Sequence, residues 1–99
     1  MKKYLLIYYN KNDDMGGSME DWDNWAKELG DKLVDFGNPL KEGGQAVSKD
    51  GVMDVKDMPA TGYSLIKAAD MDEAVKFAKS NPLLKSDSGA VCVYETLPM

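Results

Sequence analysis

The chain contains no histidine, one cysteine and five tyrosines, and that selection decides which chemistry is open to it. Without imidazole there is no Ser-His or Cys-His nucleophile pair, no histidine general base and almost no ordinary zinc site. Phenols, lysines, carboxylates and one thiol remain. Tyr8, Tyr63 and Tyr94 can each donate or accept a hydrogen bond through the ring hydroxyl, and a phenol can pass a proton. Trp22 and Trp25 can line a pocket, although a helix stripe at their spacing is more often plain core. Cys92 attacks only as a thiolate, which needs positive charge nearby; Lys67 alone approaches it in the strand register, so an inert buried thiol is the simpler reading. The acidic run Asn12-Asp13-Asp14, with Asp21 and Asp23 beyond, lacks calcium-loop spacing and reads as solvated surface. Gly43-Gly44 lacks the strand-loop-helix context of a phosphate cradle and reads as a turn. The residues call for no metal and no cofactor.

Ninety-nine residues with 43% hydrophobic and 29% charged side chains suit one globular domain, residues 1–99, with a modest core. A net charge of −5 and scattered lysines disfavour a phosphate-backbone partner, so nucleic acid is not expected. The apolar run Tyr4 to Tyr9 is shorter than the apolar core of a signal peptide, and no stretch approaches the ~20 apolar residues of a membrane span. A lone cysteine fits a reducing, cytoplasmic setting.

The elements that would position these residues follow from local pattern. "KYLLIYY" reads as a strand whose two faces are both apolar. A polar, glycine-rich loop follows. Ser18 and Asp21 resemble a capping box, and Trp22, Trp25, Ala26, Leu29, Leu33 and Phe36 predict one helix running to Gly37-Asn38-Pro39. A second strand is expected near Gln45–Val47, with a turn at Asp50-Gly51 and an extended arm from Val52 to Val55. Gly62–Ala68 reads as a strand, Asp70 and Glu73 as the cap of a helix ending at Asn81-Pro82, and Ala90–Thr96 as the last strand.

The expected fold class is α+β, in the order strand, helix, strand, strand, helix, strand. This is a ferredoxin-like βαββαβ unit, a four-stranded antiparallel sheet with two helices on one face. The other face needs cover. The alternation assigns it Leu6, Tyr8, Tyr63, Leu65, Cys92 and Tyr94, a patch larger than a monomer ordinarily exposes, and a second copy of the chain is the simplest cover.

"MKKYLLIYYN", the paired tryptophans, and "GYSLIKAADMDEAVKFAKSNPLL" followed by "GAVCVYETLP" resemble the YCII-related and DGPF-type domain proteins over nearly the whole chain. The resemblance implies a homodimer of the dimeric α+β barrel type. Some YCII-like members carry a histidine near the start of the first helix and an aspartate before the proline that ends the second. This chain has no histidine and has Asn81 at the second position, so that acid/base dyad does not transfer. The stretch "VKDMPATG" also lacks the DGPF motif. The preferred expectation is a small-molecule-binding homodimer with its pocket at the aromatic sheet face, lined by Tyr8, Trp22, Trp25, Tyr63 and Tyr94. One alternative is a cofactor-free isomerase, lyase or monooxygenase acting on a small aromatic or lactone-like substrate, with Tyr63 or Tyr94 donating the proton. The other is a regulatory protein-interaction module.

Overall fold

The structure is a computed structural model that describes residues 1–12, 14–55 and 59–98. Asp13 of the acidic run and Lys56, Asp57 and Met58 of the "VKDMPATG" stretch lie outside the described residues. The chain runs β1 (Lys2–Tyr9), α1 (Met19–Leu29), β2 (Leu33–Asp35), β3 (Gln45–Ser48), β4 (Gly51–Asp54), β5 (Ala60–Ala68), α2 (Met71–Lys79) and β6 (Ala90–Glu95), with single 3-10 turns at Gly30–Lys32 and Pro82–Lys85. Four strands form one sheet in the order β2-β5-β1-β6, with antiparallel neighbours throughout, while β3 and β4 form a separate hairpin. No helix among the described residues is long and apolar enough to cross a membrane.

Local signals set both helix starts. Ser18 Oγ accepts from the Asp21 N–H at 3.2 Å and Asp21 Oδ2 accepts from the Ser18 N–H at 2.9 Å, the reciprocal box the sequence predicts. The Ser18 amide and the Lys85 ammonium, 3.0 Å from Asp21, hold that carboxyl below its usual pKa. At α2, Asp70 accepts from the Glu73 N–H at 2.9 Å, but Glu73 reaches back to the amide of Ala69 rather than to Asp70 itself.

The first helix is shorter than the periodicity predicts. It ends at Leu29, where Gly30 turns at a φ of 59°, and Leu33–Asp35 pairs with β5 instead. Leu33 falls on the helical repeat by coincidence, since its inward side as a strand residue packs on the same core that Leu29 reaches. A glycine inside a helix costs about 1 kcal/mol, and pairing to β5 outweighs continuation. The second strand of the main sheet is therefore β2. The Gln45–Val47 strand expected for that place belongs to the hairpin, whose two-residue turn is Lys49-Asp50.

Register assigns the faces. Tyr4, Leu6 and Tyr8 stand opposite Ile66, Ser64 and Gly62 of β5 and Glu95, Val93 and Val91 of β6. This is the helix side, because these tyrosines and Leu6 share one core with Trp22, Trp25, Leu29, Ile66, Ala68, Ala74 and Leu83. The open side carries Leu5, Ile7, Tyr63, Leu65, Cys92 and Tyr94. Leu6 and Tyr8 thus leave the open face assigned to them from sequence, and Leu5 and Ile7 replace them.

Candidate functional site

Two clusters of aromatic and hydroxyl groups lie on opposite sides of the sheet. On the helix side, the Tyr8 hydroxyl donates to Ser64 Oγ at 2.7 Å, and Ser64 donates onward to the Phe36 carbonyl at 2.6 Å. Asn81 Nδ2 stands 3.4 Å from the Tyr8 oxygen as donor. The Trp22 ring meets Tyr8 edge-on at 5.3 Å and Trp25 at 5.9 Å, with the Phe36 ring tilted against both tryptophans at 6.3 and 6.4 Å. Both indoles are spoken for: Trp22 Nε1 donates to the Met15 carbonyl and Trp25 Nε1 to the Phe77 carbonyl. Tyr8, Trp22 and Trp25 are 5%, 7% and 2% exposed, while Phe36 at the rim is 40% exposed.

This cluster is therefore a packed core with one polar thread through it. Burial pushes the Tyr8 phenol up to about 12, against the pull of Ser64 and Asn81. At neutral pH it keeps its proton and is a hydrogen-bond donor, not a base. The pH consequence follows from the sign of that shift. Between pH 10 and 12 the unfolded chain loses the Tyr8 proton and the folded chain keeps it, so stability is full below pH 10 and falls through that window by about 3 kcal/mol. Denaturant titrations at several alkaline pH values should show this slope, and Tyr8→Phe should reduce it, leaving the share of Tyr4, whose buried phenol is also raised above its usual pKa.

On the open side, the Tyr63 hydroxyl accepts from Asn38 Nδ2 at 3.2 Å. Tyr94 stands 52% exposed. Both border Leu5, Ile7, Leu65 and the half-buried thiol of Cys92, with no described element over them. Here the phenols meet an apolar floor, which is the environment that orients a small flat molecule with polar substituents. Phe36-Gly37-Asn38 passes around the sheet edge and links the two clusters: the Phe36 carbonyl anchors Ser64 inside, and Asn38 reaches Tyr63 outside.

The five residues expected to share one pocket are thus divided, with Tyr8, Trp22 and Trp25 inside and Tyr63 and Tyr94 outside. Sequence reasoning missed Ser64 and Asn38. A serine in the middle of an apolar strand is a signal for the first, while nothing local marks the second. Near the end of β1, the buried Asn10 ties the β1–α1 loop to the loop after α2 through Asp14, Ser86 and Ser88. A groove of about 340 Å³ also runs between α2 and β6, lined by Met71, Val75, Ala78, Lys79, Leu84, Val91 and Val93. It contains none of the phenols.

No family model matches the chain, and no curated protein matches it. Among solved structures the chain resembles 5-chloro-2-hydroxyhydroquinone dehydrochlorinase from Burkholderia phenoliruptrix AC1100 in complex with 2,5-dihydroxybenzoquinone, with a TM-score of 0.59 and 16% identity over 93% of this chain and 90% of that one. At that identity the likeness is one of fold, and the chain shares with that enzyme its two-layer arrangement of helices on an antiparallel sheet.

Proposed function

We propose that the chain is a ferredoxin-like subunit of a small-molecule-binding homodimer, paired through the open sheet face in the manner of the YCII-related dimeric α+β barrels. The ligand lies on that face against Tyr63 and Tyr94, enclosed by the second copy. One observation carries the reading: two hydroxyl-bearing rings stand on an apolar sheet surface that no described element covers. An uncovered surface of this composition is costly in water, and sheet-on-sheet packing removes it. The dehydrochlorinase of similar fold is a protein whose structure is a complex with 2,5-dihydroxybenzoquinone, which favours a flat, oxygen-substituted ring as the ligand class. Trp22 and Trp25 support the site from beneath by packing on Phe36, which leads into Asn38.

Fluorescence or calorimetric titration with 2,5-dihydroxybenzoquinone as probe tests this reading. Binding should weaken about tenfold in Tyr63→Phe, the cost of one hydrogen bond to the ligand, while Tyr8→Phe should leave affinity unchanged. Equal loss in Tyr8→Phe and none in Tyr63→Phe would move the site to the helix side. The same fold likeness supports a second reading, a cofactor-free enzyme on such rings with Tyr63 or Tyr94 as proton donor. Turnover of a chlorinated hydroquinone by the purified dimer, abolished by Tyr63→Phe, separates catalysis from binding.

A further inference from the structure

The β3–β4 hairpin is the part of the chain with least support from its own core. All eight strand residues are exposed, with Val47 77%, Val52 59% and Met53 70% accessible. An isolated two-stranded hairpin is marginal in water, so these side chains call for a partner. Cross-strand register sets Gln45, Val47, Val52 and Asp54 on one face of the hairpin and Ala46, Ser48, Gly51 and Met53 on the other. The hairpin grows from the sheet edge just beyond the Pro39–Gly62 bridge, at the opposite end of β5 from Lys67.

That opposite end carries an unmatched charge. Lys3 of β1 and Lys67 of β5 are directly paired on the open face, where like charges repel. Among the described residues neither lysine has an ion-pair partner, and neither does Asp54. The area of the open face points the same way. β1 and β6 pair over six residues and β2 adds three, so at ~4.8 Å between strands and ~3.3 Å per residue the footprint is roughly 400 Å². A stable dimer ordinarily buries about 800 Å² of accessible surface per partner, and although side-chain relief makes the accessible area larger than this flat footprint, the sheet face alone is a small interface.

We propose that the hairpin is a dimer arm. Its Val47–Val52 face lies against the rim of a second copy's open sheet, and Asp54 faces that copy's Lys3–Lys67 pair. This rests on the homodimer reading above. The geometry requires the two-fold axis to run across the strands, so that the hairpin end of one sheet covers the lysine end of the other. The arm then supplies the missing area, places carboxylates at the paired lysines, and closes the rim of the ligand site around Tyr94.

Sedimentation equilibrium on charge-reversal variants tests the arm. Lys3→Glu with Lys67→Glu, and separately Asp54→Lys, should each raise the dimer dissociation constant about tenfold, and combining all three should return it toward wild type. Val47→Ser with Val52→Ser should weaken the dimer without disturbing the circular dichroism of the sheet and helices. Amide exchange over residues 45–54 should slow as the dimer fraction rises. A dimeric wild type whose dissociation constant moves less than about twofold in Asp54→Lys and in the valine variant overturns the arm and leaves the homodimer standing. A monomeric wild type overturns the homodimer reading itself.

Discussion

Trp25→Ala is expected to destabilise the chain by about 3–5 kcal/mol, the cost of deleting a large buried aromatic from a site that cannot collapse around the void. Trp25 is 2% exposed and touches the core from the centre of α1. Its ring packs on Trp22 and Phe36, and its indole N–H donates to the Phe77 carbonyl at 3.1 Å, so one side chain joins α1 to α2 over the sheet. Truncation also leaves the Phe77 carbonyl with one fewer donor in a part-buried place. Small domains have about 5–15 kcal/mol in total, and each lost kcal/mol lowers the melting temperature of a chain this size by about 4–8 °C. A fall of about 12–40 °C in thermal unfolding is the expected reading. Trp25→Phe keeps most of the volume and should lose less than half as much. Equal losses in the two variants would mean that the hydrogen bond, not the ring, holds the helices together.

Gly37→Ala is expected to cost about 3 kcal/mol and to damage the open-face site as well. Gly37 has a φ of 80°, where a side chain strains the backbone by about 1–3 kcal/mol. A methyl group there would also overlap the Tyr63 carbonyl oxygen, so the segment must lift from β5. Lifting it breaks the Ser64 bond to the Phe36 carbonyl on one side of the sheet and the Asn38 bond to Tyr63 on the other. Gly43→Ala is the control, because Gly43 has a φ of 95° with nothing within 4 Å of an added methyl. It carries the strain without the collision. Chemical denaturation should separate the two variants by at least ~1 kcal/mol, and only Gly37→Ala should weaken probe binding at Tyr63. A Gly37→Ala protein no less stable than Gly43→Ala would show that the close approach to Tyr63 is not a constraint.

Residue patterns with local causes were legible in the chain. Both capped helix starts could be read from a hydroxyl or carboxylate placed three residues ahead of its partner. The strand from Gly62 to Ala68, which the structure begins at Ala60, and the last strand could be read from β-branched and aromatic residues bounded by polar turns. Alternation also made legible that Tyr63 shares a face with Leu65 and Cys92 with Tyr94, though not which face of each strand the helices cover.

Other features depended on partners distant in sequence. In β1 the residues Tyr4, Leu6 and Tyr8 are no greasier than Leu5, Ile7 and Tyr9, so periodicity cannot say which set faces the helices. Pairing with β5 and β6 decides it. The same holds for Leu33, which satisfies a helical repeat and a strand position equally well until β5 offers a row of unpaired backbone groups beside it. The residue types therefore determined which chemistry is possible: phenols and indoles on an apolar frame, with no imidazole. Only the tertiary structure decided which phenols face solvent, because a strand with two apolar faces carries no internal record of its own orientation and takes it from the hydrogen bonds of its neighbours.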